Sequence, residues 1–160
     1  MPGPGGRCIR GAMRRLNLLA FTPFRFNRLA TELSQAIAED YARFGIDIPE
    51  WRVLATLGMH DGPKSAGYVV RCTRTHKSRI SRAVGHLVAL GYLERREDEV
   101  DRREIMLQLS PRGREVYDEL VPMLLERERK LLGGLDAEEQ RQLDRLLTRL
   151  ETSLDLVNGE

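Results

Sequence analysis

Little in this sequence is of the kind that chemistry is built from. Cys8 and Cys72 are its only thiols in 160 residues, one in a Gly/Pro-rich tail and one in a predicted helix, so both read as free cysteines rather than as a disulfide framework. His60, His76 and His86 stand apart, and no Cys/His set has metal-ligand spacing. No glycine-rich loop follows a strand where a phosphate would be cradled. With no catalytic constellation, neither an enzyme nor a metal or cofactor is expected. Long apolar runs are missing too: nothing approaches the ~20 residues of a membrane span, and mean hydropathy is -0.40. The early stretch LNLLAF is too short and too polar for a secretory segment. A soluble, cytoplasmic protein with no membrane partner is the expectation.

Net charge is also scarce, at +2, but its distribution is uneven. From Arg71 to Arg96 there are seven Arg/Lys against Glu94 alone, so this stretch carries +6 and the remainder sums to -4. Positive charge gathered in one short segment implies a localised anionic partner.

Hydrophobic composition of 41% over this length supports one domain, or two small lobes sharing elements. Residues 1–16 are Gly, Pro and Arg without periodicity and read as a flexible tail. From Asn17 to Phe44, Phe26, Leu29, Leu33, Ile37 and Tyr41 recur every three or four residues, as in a long amphipathic helix that Pro23 either bends or begins. Pro49 suits the first turn of a second helix, ended by Asp61-Gly62-Pro63. Ser65 is a good N-cap for AGYVVRCT, and the next helix starts near Thr75 or His76 and stops at Gly91. Two helices parted by a tight turn at Thr73 and Arg74 describe a helix-turn-helix. YLERRE and EIMLQLS then read as a hairpin, with Ile105, Leu107 and Leu109 on one side of the second strand. Ser110-Pro111 opens another helix, which Pro122 should kink; Asp136 with Glu139 caps a last one striped with leucine.

The second helix of the motif has two faces. With Ile80 at zero on a helical wheel, Ala83, Val84 and Leu87 lie within about 60°, while Ser78, Arg82, Gly85 and Ala89 point the other way. Its outward start carries Lys77, Ser78, Arg79, Ser81 and Arg82, where free backbone N–H groups already favour phosphate. Double-stranded DNA accounts for both faces: a recognition helix enters the major groove by its N-terminus. Ser65, Thr75 and His76, at the starts of the two helices, join the candidate contacts. In the hairpin tip DEVDRR, Arg102 and Arg103 suit the electronegative minor groove.

The segments IPEWRVL, THKSRISRAV, GYLERRE, VDRREIMLQLSPRGRE and LDAEEQ together resemble the MarR family of bacterial transcriptional regulators, over about Leu18 to Leu154. That resemblance implies a fold mainly of α-helix with a small β-hairpin: a winged helix-turn-helix DNA-binding domain over 46–110, a dimerisation helix over 17–45 and dimerisation helices over 111–156. It implies a homodimer on a pseudo-palindromic operator, acting as a repressor. It also implies that Asp101 orients Arg103 for the minor groove, and that Lys77, Ser78 and Arg82 touch DNA. This chain departs from the pattern at Tyr68, where Glu is frequent, at Val70, where Ala is usual, and at Arg74, where Gly is often found.

Such regulators respond to a small effector, often aromatic or anionic. Phe24, Arg25, Phe26, Arg28, Trp51 and His60 are the candidates, since an Arg beside aromatics suits an aromatic carboxylate or its thioester; Phe26 and Trp51 equally suit a plain core. Two alternatives stay open. Oxidation of Cys72, or of Cys8, would make the protein a thiol-based sensor. A winged helix that binds protein and no DNA would make it an adaptor.

Overall fold

The computed structural model describes residues 15–97 and 105–156. The chain divides into two compact units, residues 1–32 and 33–160. In the first, a 3-10 turn (Leu18–Ala20) precedes helix α1 (Thr22–Ala42), whose later turns belong to the second unit. Pro23 sits in the first turn of α1, where its missing N–H is no loss, so it begins the helix rather than bending it. The helix expected from Asn17 is therefore shorter at both ends.

The second unit is built on α2 (Ile48–Gly58), α3 (Ala66–Thr73) and α4 (Lys77–Ala89). Asp47 and Glu50 close a capping box around Pro49 at the start of α2. Ser65 caps α3, its hydroxyl accepting from the Tyr68 amide at 3.2 Å. Between α3 and α4, Arg74 adopts the left-handed conformation (φ 50°, ψ 28°) that glycine ordinarily supplies. Its Nη2 donates to the Asp155 carbonyl at 2.5 Å. α4 ends with Leu90 followed by Gly91 at φ +73°, the left-handed residue that stops a helix without a Cβ penalty.

Strand β2 (Leu93–Glu97) pairs antiparallel with β3 (Ile105–Leu109) from Leu93 opposite Leu109 to Glu97 opposite Ile105. On the other edge of β3, a two-residue strand β1 (Lys64–Ser65) pairs through Lys64 with Leu107 and Ser65 with Met106, giving the order β1-β3-β2. The hairpin expectation holds, with a third strand added. Along β3, Leu107 is 1% exposed and Ile105 53% exposed.

Helix α5 (Pro111–Leu131) starts under a Ser110 cap and passes through Pro122 without interruption; α6 (Ala137–Ser153) starts from the Asp136/Glu139 capping box. The core gathers Val53, Leu54 and Leu57 of α2, Val69 of α3, the inner face of α4, Leu93, Leu107 and Leu120, each such large side chain worth roughly 1.5–3 kcal/mol of burial. Asp40 of α1 and Arg127 of α5 form a bidentate ion pair, both bonds 2.9 Å. That guanidinium holds the Asp40 carboxyl below the usual carboxylate range, against the opposing effect of burial.

Candidate nucleic-acid interface

On α4, Ile80, Ala83, Val84 and Leu87 are buried, whereas Lys77, Ser78, Arg79, Ser81, Arg82, Gly85 and Ala89 are exposed. The two faces fall where the wheel places them. No acidic residue stands in the first turn, so the positive end of the helix dipole and three cations share one surface with no anion of that turn among them. His76 caps this turn: its Nδ1 accepts from the Ser78 amide at 3.3 Å and lies 2.9 Å from the Ser78 hydroxyl.

Two hollows flank the outward face. One, of about 400 Å³, joins Lys77 and Ser81 to Arg95 of β2 and Gly67 of α3. The other, of about 510 Å³, joins Arg79 and Arg82 to His86, and is lined also by Asp47, the cap of α2, and by Glu50 of α2. Arg95 belongs to the basic stretch of the sequence, but helical spacing does not reveal it as a site residue, because it joins Lys77 only through the folding of β2.

Thr75 does not belong to the outward face. It is 8% exposed, and its hydroxyl donates to the Thr73 carbonyl at 3.3 Å while accepting from Arg52 Nη1 at 3.4 Å. It serves the turn, because a buried hydroxyl needs partners within the protein. The Ser65 hydroxyl is likewise engaged as a cap, and the residue is half-buried in β1. Asp101, Arg102 and Arg103 lie outside the described residues, as does Cys8. Cys72 is free and half-buried.

Of the candidate effector residues, Trp51 and His60 line separate hollows. Trp51 stacks between Tyr41 and Tyr117, centroids 6.2 and 6.3 Å away, and lines an apolar groove of about 490 Å³ with Leu33, Ile37, Leu124 and Leu147. His60 lines a separate polar cleft of about 220 Å³ with Asp61, Gln108 and Arg114. Its Nε2 is 2.8 Å from the Tyr68 hydroxyl, which gives the unusual Tyr68 a partner. Phe24, Arg25, Phe26 and Arg28 belong to the first unit, where the Arg28 guanidinium lies 5.8 Å from the Phe24 ring centroid. Among the described residues no three His, Cys, Asp or Glu are grouped to hold a metal, and no helix is long and apolar enough to cross a membrane.

An inward apolar face, an outward cationic one and an adjoining hairpin define a winged helix-turn-helix of the kind that reads DNA. Residues 44–104 match the model of the MarR family. The transcriptional regulator PecS of Dickeya dadantii is 27% identical over 130 residues, 80% of this chain and 78% of PecS. A MarR/EmrR regulator from Acinetobacter sp. ADP1 superposes with a TM-score of 0.78 at 28% identity, covering 88% of this chain and 99% of that one. BpsR of Bordetella bronchiseptica, whose DNA binding is regulated by 6-hydroxynicotinic acid, superposes with a TM-score of 0.76 at 20% identity, covering 86% of this chain and 97% of its own. Over residues 44–104 the chain thus matches the MarR family, and over most of its length it is similar to transcriptional regulators.

Proposed function

We propose that this protein is a DNA-binding transcriptional regulator of the MarR type, which acts as a homodimer that represses transcription from a pseudo-palindromic operator and is released by a small aromatic carboxylate or its thioester. The acid-free first turn of α4, carrying Lys77, Ser78 and Arg79 with Arg82 one turn on, is the observation that supports it most directly. Residues 46–110 are the reading head. Lys77 and the arginines neutralise phosphates and reach base edges, with Ser78 and Ser81 as shorter contacts. Arg102 and Arg103 enter the minor groove, Arg103 oriented by Asp101. A dimer seated across the operator excludes the polymerase from the same DNA.

Residues 17–45 and 111–156 supply the dimer. Leu125, Leu146, Leu147, Leu150 and Leu154 are 38–64% exposed, and a twofold partner is the economical way to remove such a stripe from water. The effector class rests on the Arg28–Phe24 pair, which suits an aromatic acid, and on the likeness to BpsR. Its binding favours a separation of the two reading heads that does not match successive major grooves.

Salt titration against a random duplex tests the DNA reading. Affinity should fall with a log-log slope of about -0.9 per phosphate neutralised. A flat response would favour a protein-binding adaptor instead.

A further inference from the structure

Glu50 is the buried charged residue among those described, at 7% exposure. An isolated carboxylate at such a site is costly unless its oxygens are fully engaged, and both are. Oε2 accepts the Asp47 amide at 2.7 Å, completing the α2 capping box. Oε1 accepts from His86 Nδ1 at 2.5 Å. The first bond would be made as well by a neutral glutamine; the second connects the start of α2 to the last turn of α4.

The apolar part of the α4 interface cannot provide what that bond does. Ile80, Ala83, Val84 and Leu87 resist separation from the core, but apolar contact is non-directional and opposes rotation of the helix only weakly. At the other end of α4, Arg52 of α2 donates to Thr75 at 3.4 Å. α2 therefore makes one polar tie to the last turn of α4 and one to the turn that precedes the helix, with Arg79 and Arg82 in the same hollow as Glu50 and His86. A rotation of about 10° moves a guanidinium on the order of 1 Å, enough to lose a bidentate contact with a base.

We infer that Glu50 and His86 are a positioning pair: their hydrogen bond fixes the rotation of α4 and thereby sets how well this regulator distinguishes DNA sequences, while leaving its general attraction to duplex unchanged. The inference rests on α4 being the recognition helix. Neither residue needs to touch DNA for it to hold.

The test uses the full-length protein and two probes: the duplex that wild-type protein selects from a randomised pool, and a random duplex of equal length. For His86→Ala the selected duplex should bind about tenfold more weakly, with the random duplex changed by less than about twofold. His86→Asn, whose amide N–H can still reach Glu50, should restore most of the loss. Glu50→Gln, which keeps an acceptor for Asp47 and a donor toward His86, should retain selectivity and fold normally. Unchanged affinity for the selected duplex in His86→Ala would overturn the pair, as would equal losses on both duplexes or failure of the Asn rescue. Should wild-type protein select no sequence from the pool, the assignment of α4 as recognition helix falls first, and the pair with it.

Discussion

At position 113 the chain has room for a hydrogen and nothing larger. Gly113 is buried in the first turn of α5, and a Cβ there would run into the Tyr92 carbonyl, which already accepts the Ser110 amide at 3.0 Å. The Gly113 amide in turn donates to the Ser110 hydroxyl at 2.9 Å, so neither side of the contact can retreat cheaply. Gly113→Ala should cost about 1–3 kcal/mol and lower Tm by roughly 3–10 °C; an unchanged melt would show that the backbone yields. Asp40 gives a prediction whose sign depends on pH. Arg127 keeps its carboxyl below the usual range, so the folded state favours the charged form. The stabilisation is full above the ordinary carboxylate pKa of about 3.9 and is lost as pH falls through the folded value. Asp40→Asn should therefore melt lower than wild type near neutral pH, and the gap should close on acidification below about pH 4. A gap independent of pH would remove the charge from the explanation. Residues of this kind are poorly legible in sequence. Thr75 looks like a polar helix start until the turn is built around it, and Glu50 and His86 stand 36 positions apart with no local pattern linking them.

Elements were more legible, because their signals are local. Ser65, Ser110-Pro111, Asp136 with Glu139, and Gly91 mark helix ends by bonds made within a few residues, and the folded chain makes those bonds. The inner face of α4 follows from a spacing of three and four alone. β1 was missed since two residues have no period; it exists because β3 offers a free edge. Alternation says which side chains share a face of β3, but not how far the core covers it: Leu107 is buried and Ile105 exposed. The wing tip, a named candidate, lies outside the described residues. At this scale the two capping boxes make a useful contrast. That of α2 is backed by Val53, Leu54 and Leu57 in the core, whereas α6 has no residue in the buried class. α6 should thus lean on Asp136, which accepts from the Glu138 and Glu139 amides at 2.8 and 2.9 Å. Removing a cap of this type costs about 1 kcal/mol. Asp136→Ala should speed hydrogen exchange at those two amides by about fivefold, and protection equal to wild type would mean that α6 is held by something other than its cap.

For the whole molecule the imbalance lies between a well-filled core around α2, α3 and α4 and helices with exposed apolar residues. Leu146, Leu147 and Leu150 are each 38–48% exposed along one stretch of α6, and Leu125 of α5 is 55% exposed. An amphipathic helix of 17 residues with nothing buried is marginal by itself, so α6 is where the proposed dimer is best tested. Leu146→Asp together with Leu150→Asp should give a monomer in sedimentation, while wild type should be a dimer whose Tm rises with protein concentration. The same double variant should lose roughly 10²-fold or more in affinity for a two-half-site duplex, because two linked reading heads gain avidity that one does not have. Binding to a single half-site should be nearly unaffected, since the cations of α4 are untouched. A double variant that remains dimeric would place the partner surface elsewhere, and one that is monomeric yet binds the two-half-site duplex at full strength would separate DNA reading from dimerisation altogether.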